Sequence, residues 1–251
     1  MPQTATIAVL ADIHGNAAAL RAVLDHARSQ GATRFVNLGD TFYGPLDPAG
    51  TWAALKALAM DAVLGNQDRI LLENDPAQGA DPNPTLARTL TAIGADGLAW
   101  LKTLPAAFRP EPDILLCHGT PGSDTAYLIE DVSAGLPGVR PCADILADIP
   151  AGPNAPALVL AGHSHHAGLV RCGAVTVVNP GSVGLPAYAD DDPPHVMAAG
   201  SPHARYALIS KAGLEWKAEL FSVEYDWKTA AALARENERP DWAKWLETGL
   251  A

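Results

Sequence analysis

The chain has 251 residues, 48% hydrophobic and 18% charged, enough apolar mass for one substantial core, and it reads as a single domain over 1–251. Its net charge of −11, without a Lys/Arg cluster, argues against a long nucleic acid as partner, because such binding draws on dense positive charge. No apolar run approaches the roughly 18 to 20 residues of a membrane span, and no basic stretch precedes the first apolar segment, so the expectation is a cytoplasmic protein with no membrane partner.

Ala8-Val9-Leu10-Ala11 reads as a buried strand that ends abruptly in Asp12-Ile13-His14-Gly15. Two residues apart in extended chain, Asp12 and His14 point to one side and are placed to share a cation. Asn16 then caps a helix to about Gln30, with Ala18, Leu20, Val23, Leu24 and Ala27 as its apolar stripe, Gly31 as its stop and His26 in an ordinary surface or packing role. A second strand, 34–38, closes in Gly39-Asp40. A helix over about 48–59 leads to a third strand, 61–64, closed by Gly65-Asn66-Gln67-Asp68.

Prolines and turn formers make 74–84 a surface loop before a helix over about 85–104. Pro105 to Pro112 reads as irregular, and 113–117 as a fourth strand closed by His118-Gly119. Thr120 to Pro156 turns to Gly, Pro, Ala and Asp, predicting a loop-rich insertion with one short helix near 142–149. A fifth strand, 158–161, closes in Gly162-His163-Ser164-His165. Residues 169–178, 205–210 and 214–223 read as consecutive strands of an antiparallel meander. Between them lie Asn179 to Gly184 and an acidic, proline-rich loop, Asp190 to Pro194. Two helices, about 227–238 and a Trp-rich 240–246, end the chain. Cys117, Cys142 and Cys172, odd in number and with no Cys-x-x-Cys pair, are expected to be buried reduced thiols.

The strand ends together carry Asp12, His14, Asp40, Asn66, His118, His163 and His165. Seven oxygen and nitrogen donors without a thiolate exceed what one cation commonly takes and suit two cations that share a carboxylate. Imidazole with carboxylate suits Mn²⁺, Fe and Zn²⁺ alike, and Mn²⁺ is the first expectation, with Fe or Zn²⁺ as alternatives. In order and spacing, Asp12-Ile13-His14, Gly39-Asp40, Gly65-Asn66-Gln67-Asp68, His118-Gly119 and Gly162-His163-Ser164-His165 resemble the calcineurin-like metallophosphoesterases. The Asn179 to Gly184 stretch is similar to that of their smaller bacterial phosphodiesterase-like branch.

The resemblance implies a four-layer α/β/β/α sandwich with two divalent metal ions. It places Asp12, His14 and His165 on one, Asn66, His118 and His163 on the other, and Asp40 between them. It further implies hydrolysis of a small phosphodiester or activated phosphomonoester by attack of a metal-bridging hydroxide, with Asn66 also donating its amide to a phosphate oxygen. Gln67 departs from the pattern: many members have a histidine there that protonates the leaving group, and Gln has no proton to give. Asp68, which would orient that histidine, stands without its partner, and His166, His195 and His203 are the substitutes to consider. Asp190 to Pro194 and the 120–156 insertion are expected to frame the pocket. Two rival readings are a catalytically silent protein-interaction module on the same fold and a protein phosphatase. Self-association is left open.

Overall fold

The computed structural model describes residues 6–74, 83–213 and 215–251. Strand–helix repeats come first: β1 (Ile7–Leu10), α1 (Ala17–Ser29), β2 (Arg34–Asn37), α2 (Pro48–Leu55) and β3 (Met60–Ala62). They are followed by α3 (Asn66–Glu73), α4 (Pro84–Leu101), β4 (Ala107–Glu111) and β5 (Ile114–Cys117). The insertion holds β6 (Glu130–Asp131), β7 (Gly138–Val139) and α5 (Cys142–Ala147). β8 (Leu158–Leu160), β9 (Gly168–Cys172), β10 (Val175–Asn179), β11 (Ala187–Asp191) and β12 (Pro194–Ala198) come next. β13 (Ala204–Ala212), β14 (Glu215–Val223), α6 (Trp227–Glu236) and α7 (Pro240–Thr248) complete the chain.

Two five-stranded mixed sheets run in the orders β14-β13-β1-β2-β3 and β4-β5-β8-β10-β9. β1, β2 and β3 are parallel, and β13 joins β1 antiparallel with Ile7 opposite Ile209. In the second sheet β5, β8 and β10 are parallel between antiparallel edges β4 and β9. Alternation along each strand divides its side chains between two cores. Ile7, Val9, Val36 and Leu38 face Ile114, Leu116, Leu158 and Leu160 in the layer between the sheets. Ala8, Leu10 and Phe35 pack with α1 and α4 residues on one outer side, and Leu115, Cys117 and Val159 pack with Ile145 of α5 on the other. The result is the four-layer α/β/β/α sandwich.

Local chemistry sets the helix starts. Asn16 Oδ1 accepts from Ala19 N at 3.1 Å to cap α1, and Asp47 caps α2 with Pro48 at its first turn. Ala17 and Ala19 are buried and Ala18 only partly so, a small rotation of the expected stripe. His26 donates to or accepts from the Tyr206 hydroxyl at 2.8 Å, a packing role.

Several expectations give way. Pro105 to Pro112 contains β4; Pro110 is tolerated because an edge strand pairs on one side only, and the register shifts between Phe108 and Glu111. The meander is split between sheets, since β9 and β10 form a hairpin in the second while β13 and β14 belong to the first. Asp190 to Pro194 is the turn of the β11–β12 hairpin. Asn66 to Asp68, read as part of a strand-closing turn, are the first turn of α3, which runs on to Glu73. Residues 75–82 of the expected 74–84 loop, and Leu214, lie outside the described residues. Cys142 and Cys172 are not reduced thiols: α5 lies against the end of β9 with a Cα–Cα distance of 5.3 Å, and the two are disulfide-bonded. Cys117 alone is free and buried.

Candidate metal centre

Asp12 and His14 follow β1, Asp40 follows β2 and Asn66 opens α3, all from the first sheet, while His118 follows β5 and His163 and His165 follow β8 in the second. The carboxyl ends of parallel strands from both sheets therefore meet at one crevice. Asp12, His14, Asp40, Asn66, His118 and His165 are all buried. Asp12, His14, Asp40, His163 and His165 have φ between 51° and 68°, so the extended geometry expected for Asp12 and His14 is replaced by left-handed backbone. Each such residue costs on the order of 1 kcal/mol or more and persists only where neighbours over-determine it. Here those neighbours are specific: Asp12 N donates to Gly39 O at 3.0 Å, His14 N to Asp40 O at 2.9 Å and His163 N to Asp12 Oδ2 at 3.1 Å. Gly65 is required by close approach, since a Cβ there would overlap the carboxylate and amide of Asp40.

His14 Nδ1 donates to Tyr43 O at 2.9 Å, and His165 Nδ1 to Leu185 O at 2.7 Å. Carbonyl partners require the proton on Nδ1, which leaves two Nε2 lone pairs 3.1 Å apart. His165 Nε2 also lies 3.5 Å from Asp12 Oδ1, a buried oxygen with no hydrogen-bond partner. Three acceptors converging with no donor among them are unfavourable unless a cation sits between them. The second cluster repeats the pattern: His118 Nδ1 donates to Leu38 O at 2.7 Å, and Nε2 faces Asn66 Oδ1 at 2.9 Å and Asp40 Oδ1 at 3.5 Å. Donor atoms of Asp12, His14 and His165 lie within 4.8 Å of one another, as do those of Asp12, Asp40 and His118. Asp12 thus stands in both groups, a position the sequence reading reserved for Asp40. His163 stands slightly apart, its ring stacked on Tyr127 at 4.8 Å, 5.0 Å from His118, with Nε2 donating to Thr125 O at 3.0 Å.

Burial, reinforced by the neighbouring Asp40 charge, holds the Asp12 carboxyl well above the usual range, and burial raises Asp40 as well. Burial lowers His14 and His165, and pushes His118 and His163 down to about 4. The imidazoles are therefore neutral and ready to ligate, whereas the carboxylates lack the positive charge that would balance them.

Gln67 N donates to Asp40 Oδ1 at 2.8 Å, and Gln67 lines the crevice. Asp68 has other partners than an imidazole: Oδ1 accepts from Thr41 N at 2.9 Å, and Oδ2 accepts from Thr41 Oγ1 and Gly65 N, both at 3.3 Å. Burial, then the Asp40 charge, pushes its carboxyl up to about 7. None of the three substitute histidines lines the crevice. His195 is buried with Nε2 2.8 Å from the Tyr127 hydroxyl, and His203 lies 3.9 Å from Glu224. His166 is partly buried beside the insertion.

The crevice is a cleft of about 270 Å³. Asp190 lines it as expected, whereas the insertion reaches the centre through Thr125 and Tyr127 at His163. Sequence reasoning missed Tyr43, Tyr188, Arg239, Trp242 and Trp245, which supply much of its wall. The last three recur at three-residue intervals, the one signal that could have found them.

Two mixed sheets with a cluster of candidate metal ligands at their facing strand ends give a metallophosphoesterase fold with a candidate metal centre. Residues 6–200 match the calcineurin-like phosphoesterase superfamily domain, and the chain belongs to that family. An uncharacterized protein of Methanocaldococcus jannaschii is 25% identical over 258 residues, covering 94% of each chain. The structure resembles a metallophosphoesterase from Sphaerobacter thermophilus with a TM-score of 0.71 and 22% identity, over 98% of this chain and 99% of that one. It also resembles a hypothetical protein from Pyrococcus horikoshii OT3 with a TM-score of 0.74 and 21% identity, over 98% of both. These likenesses establish the fold.

Proposed function

We propose that this chain is a single-domain, two-metal phosphoesterase that hydrolyses a small phosphodiester or an activated phosphomonoester. The observation that carries this reading is the convergence of the His14 and His165 Nε2 lone pairs on the partnerless, buried Asp12 Oδ1. Asp12, His14 and His165 would hold one cation, and Asn66, His118 and His163 the other, with Asp40 serving both. When bound, such cations supply the Lewis acidity that lowers the pKa of a water and neutralises phosphoryl charge.

The chain's own residues do the positioning. Gln67 N fixes Asp40, the Tyr43, Leu38 and Leu185 carbonyls fix three imidazole tautomers, and the left-handed backbone holds the donors against relaxation. The side-chain amides of Asn66 and Gln67, both at the cleft, can donate to phosphoryl oxygens. With Gln in place of the imidazole and Asp68 committed to Thr41 and Gly65, no acid stands at that position, which favours esters whose leaving group departs as a stable anion. An interaction scaffold would have no use for seven converging donors. Mn²⁺ is the cation expected to restore activity, with Fe or Zn²⁺ as alternatives. Turnover of a panel of phosphodiesters and monoesters with added Mn²⁺, against a chelator-treated sample, tests the reading. Metal-dependent hydrolysis is expected, and equal rates in both samples would contradict it.

A further inference from the structure

The outer wall of the cleft does nothing in the mechanism above, yet it is built with care. Arg239, Trp242 and Trp245, at the start and along one face of α7, all line the cleft. Trp242 is the anchor, 3% exposed, edge-on to His14 at 5.6 Å and packed with Leu46, Leu185 and Leu246. Trp245 is only partly buried and lies 6.4 Å from Trp242, tilted by 42°, so part of its indole remains accessible at the cleft. The Arg239 guanidinium lies 5.3 Å over the Trp242 ring, with Nε and Nη2 donating to Asp241 at 2.9 and 2.6 Å.

That pairing decides what the wall can recognise. Among the described residues lining the cleft, Arg239 is the one Lys or Arg, and Asp40 and Asp190 are there too. Its charge is already met by Asp241, so it offers a planar stacking surface more than a clamp for a second anion. We infer that the α7 wall is a subsite for a planar aromatic ring, so that the substrate is a monophosphoryl ester with an aryl or nucleoside moiety seated on Trp245 beside Arg239, and not a polyphosphate. For its phosphoryl end the inference rests on the phosphoesterase reading. The ring subsite stands without it.

The test compares the wild type with Trp245→Ala and Trp245→Phe. With Mn²⁺ bound, KM and kcat are measured for phenyl phosphodiesters, for adenosine 2′,3′-cyclic phosphate and for an alkyl diester such as glycerophosphoglycerol. Loss of a stacked ring is expected to raise KM for the ring-bearing esters about 10-fold in Trp245→Ala, with kcat nearly unchanged, no change for the alkyl diester and most affinity kept in Trp245→Phe. Calorimetry of adenosine and of phenol with metal-free protein, neither carrying a phosphate, is expected to show binding that Trp245→Ala weakens, and the tighter of the two identifies the source of the ring. Equal effects on ring and alkyl esters, no effect on either, failure of both ring compounds to bind, or a lower KM for a dinucleoside polyphosphate would each overturn the proposal. Should no ester be hydrolysed, the phosphoesterase reading falls, and calorimetry still decides the subsite.

Discussion

The floor and the wall of the cleft are built on different principles. On the floor, donors sit at strand ends, five on left-handed backbone and three with their Nδ1 protons tied to main-chain carbonyls, so little can move without breaking a buried bond. The wall comes from the β11–β12 hairpin and α7 and is held by a small satellite core of Leu46, Leu185, Ala230, Ala231, Ala234, Trp242, Ala243 and Leu246. The family match ends at residue 200, before α7 begins. The floor lies within that match, and the α7 part of the wall lies beyond it. Chemistry and selectivity should therefore respond to different substitutions.

The largest separation is expected from Asp40→Asn. As the carboxylate proposed to serve both cations, with its oxygens 3.8 Å from His14 Nε2 and 3.5 Å from His118 Nε2, it should take turnover down by more than about 10³-fold on every ester while thermal unfolding shows a largely intact fold. Retention of near wild-type activity would remove Asp40 from its assigned role. Trp242→Ala strikes the joint between floor and wall. Loss of a buried indole should lower stability by about 3 to 5 kcal/mol in denaturant titration, and by freeing the His14 ring it should reduce rates on ring-bearing and alkyl esters alike.

Glu130 probes the support behind the floor. It is 5% exposed, one carboxylate oxygen has no hydrogen-bond partner, and burial pushes its carboxyl up to about 7 from an ordinary 4.5. A raised folded-state pKa means that its favourable contribution is complete below about pH 4.5 and is lost as pH rises through about 7. Glu130→Gln should then stabilise the protein at pH 8 by about 2 kcal/mol, or about 4 to 8 °C in Tm, and leave it unchanged at pH 4. A gain of equal size at both pH values would show that the carboxyl is not the source.

The smallest effect is expected from Gln67→His. Because both Asp68 oxygens are engaged by Thr41 and Gly65, the new imidazole lacks an orienting carboxylate. Rates on alkyl monoesters should rise by less than the roughly 10²-fold that a positioned general acid brings. A gain of 10²-fold or more, with a flatter dependence on leaving-group pKa, would show that Asp68 exchanges partners.

The floor was legible in the sequence because each of its strands is a short apolar run that stops at Asp, Asn or His beside glycine, so the chemistry is written where the periodicity breaks. What stayed hidden depends on distant partners. β13 pairs with β1 across nearly the whole chain, so the final strands read as a local meander. α3 carries only the apolar run Ile70-Leu71-Leu72, and its real signature is Asp68, whose carboxylate accepts from Gly65 N at the helix start. Cys142 and Cys172 are brought together across 30 residues by the insertion folding onto β9. His163 lies outside both tight donor groups, and its Nε2 is held by Thr125 of the insertion, a partner far from it in sequence. The spacing of Arg239, Trp242 and Trp245 was visible, but not the satellite core that docks α7 against His14.

Metal content per chain tests the central claim most directly. After reconstitution with excess Mn²⁺ and removal of unbound ion, elemental analysis of the wild type should find two equivalents, falling to one in His118→Ala, which removes a donor proposed for the second cation and leaves Asp12, His14 and His165 in place. One equivalent or none in the wild type would contradict the two-metal account.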